Sequence, residues 1–191
     1  SGTECSGCAA GYTGYPNCSV CSDTYEPNNN SSQTSNLGDY EDDDFSGGNT
    51  ESFDAIYSSE LDVDWYNIGF TDTNDFCIGD IVADAAIYYD PDSTIHDYDI
   101  CLYFGCLDGN ESVYCSKGSS STAGAYSGCC AHEDDASIPL HVVMKVNCPD
   151  GDDHGVFFIK TWKNSTESSC IDYELVFAAR DCQIPPYGTL F

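Results

Sequence analysis

Two aspartates open an apolar stretch, Leu61-Asp62-Val63-Asp64-Trp65-Tyr66-Asn67-Ile68-Gly69-Phe70. Tyr66, Ile68 and Phe70 recur at period two and so share one face of a strand. Asp62 and Asp64 sit just ahead of them, where the strand leaves a loop, which puts a pair of oxygen ligands at the rim of a sheet. Upstream, Glu26-Pro27-Asn28-Asn29-Asn30 offers a further carboxylate and amide carbonyls. Calcium takes about six to eight oxygens from carboxylates, amides, backbone and water. Glu26, Asn28, Asn29, Asp62 and Asp64 supply most of that set if the opening segment crosses the rim. Asp90, Asp92, Asp97 and Asp99 form a second candidate cluster around a turn. Asp150-Gly151-Asp152-Asp153-His154-Gly155 lacks the EF-hand pattern at His154 and Thr161 and reads first as a hairpin turn.

Catalytic patterns find little support. His132-Glu133 is followed by Asp134-Asp135-Ala136, so the second histidine of a zinc HExxH helix is missing. The Ser-rich loop holds no GxSxG. The four histidines, His96, His132, His141 and His154, show no metal-site spacing. Acids are so abundant that any close carboxylate pair is uninformative about a hydrolase. The expectation is a protein that is not an enzyme.

The charge balance is extreme: 33 acidic against 5 basic residues, a formal charge of −28. Such a chain has no basic face for phosphates, so nucleic acid is excluded as a partner. Self-repulsion on this scale weakens the compact state unless something offsets it, and divalent cations are the natural counterweight. There are 13 cysteines, many among turn residues, which points to an oxidising, extracellular setting. The count is odd, so at least one thiol is free or pairs with another chain. No apolar run approaches the length of a membrane span. The chain has no initiating Met, and any signal peptide is expected to have been removed. Sequons stand at Asn17, Asn29, Asn30, Asn110 and Asn164, of which Asn30, Asn110 and Asn164 are the candidate glycan sites.

These groups must be positioned by strands. Residues 1–22 form a Cys-rich segment with Cys5-x2-Cys8 and Cys18-x2-Cys21. The spacing alone admits zinc, whereas the secreted setting favours disulfides. Residues 23–60 are polar, with an acidic run at Glu41–Asp44 and a weak strand over Ser52–Tyr57. Strands are expected at Leu61–Phe70, Asp75–Val82, Ala85–Tyr89, Tyr98–Phe104, Leu140–Val146, Val156–Trp162 and Tyr173–Phe177. Ser112–Cys115 reads as the hairpin partner of Tyr98–Phe104, which makes Cys106 and Cys115 expected disulfide partners. Residues 116–137 read as irregular, and adjacent Cys129 and Cys130 are expected to fasten two different segments. No stretch sustains a helical period. The expected fold is all-β, two packed antiparallel sheets over residues 23–182, with 183–191 a tail that is either a linker or an arm docking on a neighbouring copy by strand addition.

Two resemblances follow from these residues. Cys8-Ala-Ala-Gly-Tyr-Thr-Gly-Tyr-Pro-Asn-Cys18-Ser-Val-Cys21 resembles the C-terminal half of an EGF-like repeat of the laminin type. Glu26-Pro27-Asn28-Asn29, Asp62-Val63-Asp64-Trp65-Tyr66, Asp97-Tyr98-Asp99-Ile100-Cys101-Leu102-Tyr103, Gly155-Val156-Phe157-Phe158-Ile159 and Tyr173-Glu174-Leu175, in that order, resemble the bacterial pre-peptidase C-terminal (PPC) domain. That resemblance covers roughly residues 25–178 and implies a jelly-roll-like β-sandwich. Similar collagen-binding modules of clostridial collagenases bind calcium, which by position nominates Glu26, Asn28, Asn29, Asp62 and Asp64. The family is usually shorter and cysteine-poor, with no counterpart to the stretches near 40–50, 90–97 and 116–137. The functional expectation is a secreted, calcium-binding structural or adhesive module. Its partners would be other copies of itself in a filament or surface assembly, or an extracellular polymer. The alternative is an accessory substrate-binding domain of a secreted peptidase or other hydrolase.

Overall fold

Alternation of buried and exposed residues runs through most strands of this protein, and two sheets arise from burying the apolar side of each. The computed structural model describes residues 12–13, 19–20, 23–41, 50–57, 62–71, 81–89, 97–107, 109–133, 139–148, 154–164 and 171–180. β1 (Tyr12–Thr13) and β2 (Ser19–Val20) pair as a short antiparallel ribbon. The remaining strands are β3 (Ser35–Glu41), β4 (Thr50–Tyr57), β5 (Val63–Thr71), β6 (Ile81–Tyr89), β7 (Tyr98–Cys106) and β8 (Ser112–Lys117), followed by β9 (Ser119–Ala123), β10 (Tyr126–Glu133), β11 (Leu140–Asn147), β12 (Gly155–Lys163) and β13 (Ile171–Arg180). They form a six-stranded sheet in the order β3-β5-β12-β7-β10-β9 and a five-stranded sheet in the order β4-β13-β6-β11-β8. The chain is an all-β sandwich, as expected. Every described pairing is antiparallel except β3 with β5, which is parallel. The described residues contain no helix, and hence none long and apolar enough to cross a membrane.

The core lies between the sheets and is heavily aromatic. Tyr66, Ile68 and Phe70 of β5 face inward, as their period requires, and meet Phe157 and Ile159 of β12 and Tyr173, Leu175 and Phe177 of β13. Tyr57 stacks on Tyr173 with ring centroids 4.3 Å apart, and Phe157 packs against Phe177 at 5.1 Å. At the β3 edge the Tyr40 hydroxyl donates to the Ala179 carbonyl at 2.9 Å, so a polar contact also joins the two sheets.

Several local expectations are corrected. Residues 81–89 are one strand, not the end of one and the start of another. β6 is central in its sheet and buried on both faces over its first seven residues, so small alanines replace the alternation that marks a half-buried strand. Residues 35–41, read as part of a polar stretch, form β3. Residues 119–123 and 126–133, read as part of an irregular stretch, are strands: Ser-Ser-Ser-Thr-Ala builds β9 and Tyr-Ser-Gly-Cys-Cys-Ala-His-Glu builds β10. Ser112–Cys115 is not the hairpin partner of β7; β8 pairs with β11 in the opposite sheet. Gly118, at φ +100°, turns the chain from β8 back to the six-stranded sheet, and a Cβ there would come within 2.6 Å of the Cys130 carbonyl oxygen.

The disulfides follow from this topology. Cys106 and Cys115 are both oxidised but not to each other. Cys106 pairs with Cys148 just beyond β11, and Cys115 pairs with Cys129 of β10. Each of these bonds ties one sheet to the other. Cys130 pairs instead with Cys101, its direct cross-strand neighbour on β7. The adjacent cysteines thus do fasten two different segments. Cys5, Cys8, Cys18 and Cys21, and the 183–191 tail, lie outside the described residues.

Candidate metal centre

The segment before β3 crosses the start of β5. The Trp65 amide donates to the Asn28 carbonyl at 2.9 Å, and Thr34 Oγ1 donates to Asn67 Oδ1 at 2.9 Å. This anchorage brings Glu26 to the aspartates 36 and 38 residues further on. One oxygen each from Glu26, Asp62 and Asp64 lies within 4.8 Å of the others. Among the described residues this is the one group of three or more acidic, histidine or cysteine side chains with that spacing.

Asp64 is the centre of the corner. It stands on the inward face of β5, two residues before Tyr66, and is fully buried. Its Oδ2 accepts a 2.5 Å hydrogen bond from the Tyr173 hydroxyl, which lies 2.6 Å from the Tyr66 hydroxyl and accepts from Thr161 Oγ1 at 3.3 Å. Its Oδ1 has no protein partner. Burial pushes the Asp64 carboxyl up to about 8; the Tyr173 hydrogen bond opposes that, and the charges of Asp62, Asp23 and Glu26 reinforce it. Glu26 is raised too, first by burial and then by Asp62, against the hydrogen bonds it accepts.

Asn28 is also fully buried, and neither its amide oxygen nor its amide nitrogen has a hydrogen-bond partner. Its backbone spans the corner: the N–H donates to Glu26 Oε2 at 3.0 Å and the carbonyl serves Trp65. An orphaned amide of this kind is costly unless a ligand completes it. Asn29 borders the corner. It is exposed, and its Nδ2 donates to Glu26 at 2.9 and 3.2 Å, so it orients the carboxylate. Asp23 and Tyr173 were not foreseen. Asp23 Oδ1 accepts from the Tyr25 amide at 2.9 Å, while its Oδ2 is buried without a partner, and burial raises its pKa. An extra acid three residues before Glu26 and an inward-facing tyrosine in need of a partner are the sequence signals for these two.

Of the second expected cluster, Asp97 and Asp99 lie among the described residues. Asp97 and Asp99 come together, but with donors: Asp99 Oδ1 lies 2.7 Å from His132 Nδ1, and Asn164 Nδ2 donates to Asp99 Oδ2 at 2.6 Å and to Asp97 Oδ1 at 3.2 Å. Asp90 and Asp92 lie outside the described residues. Asn30, Asn110 and Asn164 are all exposed. A surface hollow of about 660 Å³ opens beside Asp23 and Tyr173, lined also by Asp54, Tyr88, Tyr89 and Glu174. No acid in it other than Asp23 bears on the Asp64 carboxyl.

The donor set is carboxylate and amide oxygen at one buried corner, which suits a hard divalent cation and offers nothing for a soft one. Glu26, Asp62, Asp64 and Asn28 would hold the ion, with Asp23 beside them. No family model matches the chain, and no curated protein matches it.

Proposed function

We propose that this protein is a secreted structural or adhesive β-sandwich module whose opening segment is clamped to the sandwich by calcium. The observation that carries the reading is the corner itself. Three carboxylates meet there, Asp64 and Asn28 have no exposed surface, and both keep oxygens with no protein partner. Without an ion, burial holds the Asp64 carboxyl in its neutral form. With one, the same oxygens become ligands and the segment from Glu26 to Asn29 is tied to β5. The resemblance to PPC and collagen-binding modules supports the same assignment. Two sheet-to-sheet disulfides fit an oxidising compartment and a module built to persist outside cells. The activity proposed is binding and assembly, without bond cleavage.

The test is calcium titration of chelator-treated protein by calorimetry and thermal melting. A saturable site with a higher melting temperature supports the reading, and a melting temperature unmoved by calcium and chelator refutes it. Electron microscopy and non-reducing electrophoresis of native material test assembly: fibres or ladders support it, and isolated monomers refute it.

A further inference from the structure

The sandwich has two lateral walls, each made by the terminal strands of its two sheets. β3 and β4 form one, β9 and β8 the other. The β3–β4 wall is guarded by charge: Asp39 and Glu41 of β3 and Glu51 and Asp54 of β4 are all exposed. Its ladder is also irregular, for β3 shifts register against β5 between Asn36 and Asp39, with Gly38 at φ +111°. Charges and bulges of this kind keep an edge from pairing with another chain.

The β8–β9 wall has neither protection. No Asp or Glu stands between Glu111 and Glu133, the longest acid-free run in a chain with 33 acids, and that run is β8, β9 and β10 up to His132. Lys117 is its one Lys or Arg. β9 is Ser-Ser-Ser-Thr-Ala, without charge or proline, and keeps a regular register along β10. Among the described strands only β10 pairs with it, so alternate residues turn their N–H and C=O away from the sheet. Ser119, Ser120 and Thr122 are exposed, and Ser121 and Ala123 half-buried. On β8, Tyr114 is 67% exposed. The wall is also braced. Cys115–Cys129 ties β8 to β10, and Cys101–Cys130 ties β10 to β7. An edge already extended and cross-linked loses little freedom when it pairs.

We propose that β9 pairs antiparallel with β9 of a second copy, continuing the six-stranded sheet from one molecule into the next. The inference rests on the assembly half of the function proposed above and names the surface by which copies meet. An open ladder is met by another open ladder, and small hydroxyl side chains let the two backbones approach. Of the four terminal strands of the sandwich, β3 and β4 carry exposed acids and β8 ends in Lys117, whereas β9 is uncharged. Two β9 strands therefore meet with no like charges opposed across the ladder. The total of −28 bears on this contact weakly, because physiological salt screens charges beyond about 8 Å and the acids are withheld from this run. Pairing of like edges is isologous and closes at two copies. Strands of five and six residues make a wall about 20 Å long and, across two sheets, about 10 Å thick. That is small for a permanent dimer, so the association is reversible and depends on concentration.

The experiment is sedimentation velocity of the whole oxidised chain over a range of concentrations, with hydrogen–deuterium exchange on the same samples. A reversible dimer is expected, in which the β9 amides exchange more slowly than in dilute protein while those of β3 and β4 are unchanged. Thr122→Asp puts a carboxylate into the paired ladder and should weaken the dimer about tenfold or more. Thr122→Asn, similar in size and neutral, should leave it intact. Melting temperature and near-ultraviolet dichroism report whether Thr122→Asp folds; if it does not, the exchange pattern of the parent decides. The contact holds no ion pair, so the dimer should tighten as added salt screens the net repulsion. Four results overturn the edge pairing and leave assembly standing: a dimer with unchanged β9 exchange, a folded Thr122→Asp that associates like the parent, a dimer that loosens with salt, or one held by an interchain disulfide and released by reductant. A chain that stays monomeric at every concentration overturns this inference and the assembly reading together. Calcium titration of the same samples reads the cation corner independently.

Discussion

Replacing Asp64 by Asn separates the two states of the metal corner. In the ion-free protein the Asp64 carboxyl is pushed up to about 8 from an unfolded value near 3.8. The raised group disfavours its charged form in the fold. The resulting penalty is absent below pH 3.8, grows as pH rises through the window to about 8, and is constant above it. At pH 7 the ceiling is about 4 kcal/mol, and relaxation of the corner brings it nearer ~2 kcal/mol. Asn is neutral at every pH and still accepts from Tyr173. In chelator, Asp64→Asn is therefore more stable than the parent by about 2 kcal/mol, a rise in melting temperature of about 4–8 °C for a chain of this size. Calcium at about a hundredfold excess over its dissociation constant adds roughly 2.7 kcal/mol to the parent and almost nothing to the variant. Differential scanning calorimetry at pH 7, with chelator and then with calcium, reads both effects, and Asp54→Asn, outside the corner, should show neither. A variant less stable than the parent in chelator would refute the desolvation argument. Equal calcium shifts in both proteins would refute Asp64 as a ligand.

Three further outcomes are expected. Calcium binding at pH 7 should release about one proton, because Asp64 must ionise to coordinate; calorimetry in buffers of differing ionisation enthalpy measures it, and affinity should fall as pH drops from 8 to 6. Asp84, fully buried on β6 with both oxygens unpartnered, has its pKa pushed up to about 7 by burial, against the pull of Lys117. Its penalty likewise grows from pH 3.8 to about 7, so Asp84→Asn should add about 2 kcal/mol in urea unfolding at pH 8 and little at pH 4. Replacing Cys106 and Cys148 together by Ala opens a loop of 42 residues between the sheets and should cost about 2–5 kcal/mol by the same measurement.

The two-sheet class was legible because β5, β7, β11 and β12 each carry a clean period of two with their apolar residues on the inner face. Glu26, Asp62 and Asp64 were legible as a trio because an acidic strand start and an oxygen-rich opening segment can meet only if one crosses the other. What failed did so for identifiable reasons. β6 is covered on both faces, so alternation gives way to a run of alanines. β9 is Ser-Ser-Ser-Thr-Ala, a composition that signals a loop, yet its ladder with β10 makes it a strand. The Cys106–Cys115 expectation assumed that strands close in sequence share a sheet, but β8 crosses to the other layer. Asp23 and Tyr173 were missed because their roles depend on tertiary proximity: Tyr173 reaches Asp64 across 109 residues of chain.

The acidity of this chain gains its meaning from where it is not solvated. Asp39, Glu41, Glu51, Asp54, Asp172 and Glu174 stand on the surface, where water and salt screen them and their repulsion is diffuse. Screening fails at the corner, where Asp64 is excluded from water and lies between like charges. A fold that needed only solubility would not direct a carboxylate inward beside three tyrosines. Protons alone make such a corner marginal above pH 8, whereas a divalent ion converts each disfavoured charge into a ligand. Such an ion would also tie the segment ahead of β3 to β5, two parts of the chain more than 30 residues apart. β5 places this corner: Asp64 is turned inward to it, while Trp65, one residue on, lies on the opposite side of the sheet because a strand alternates.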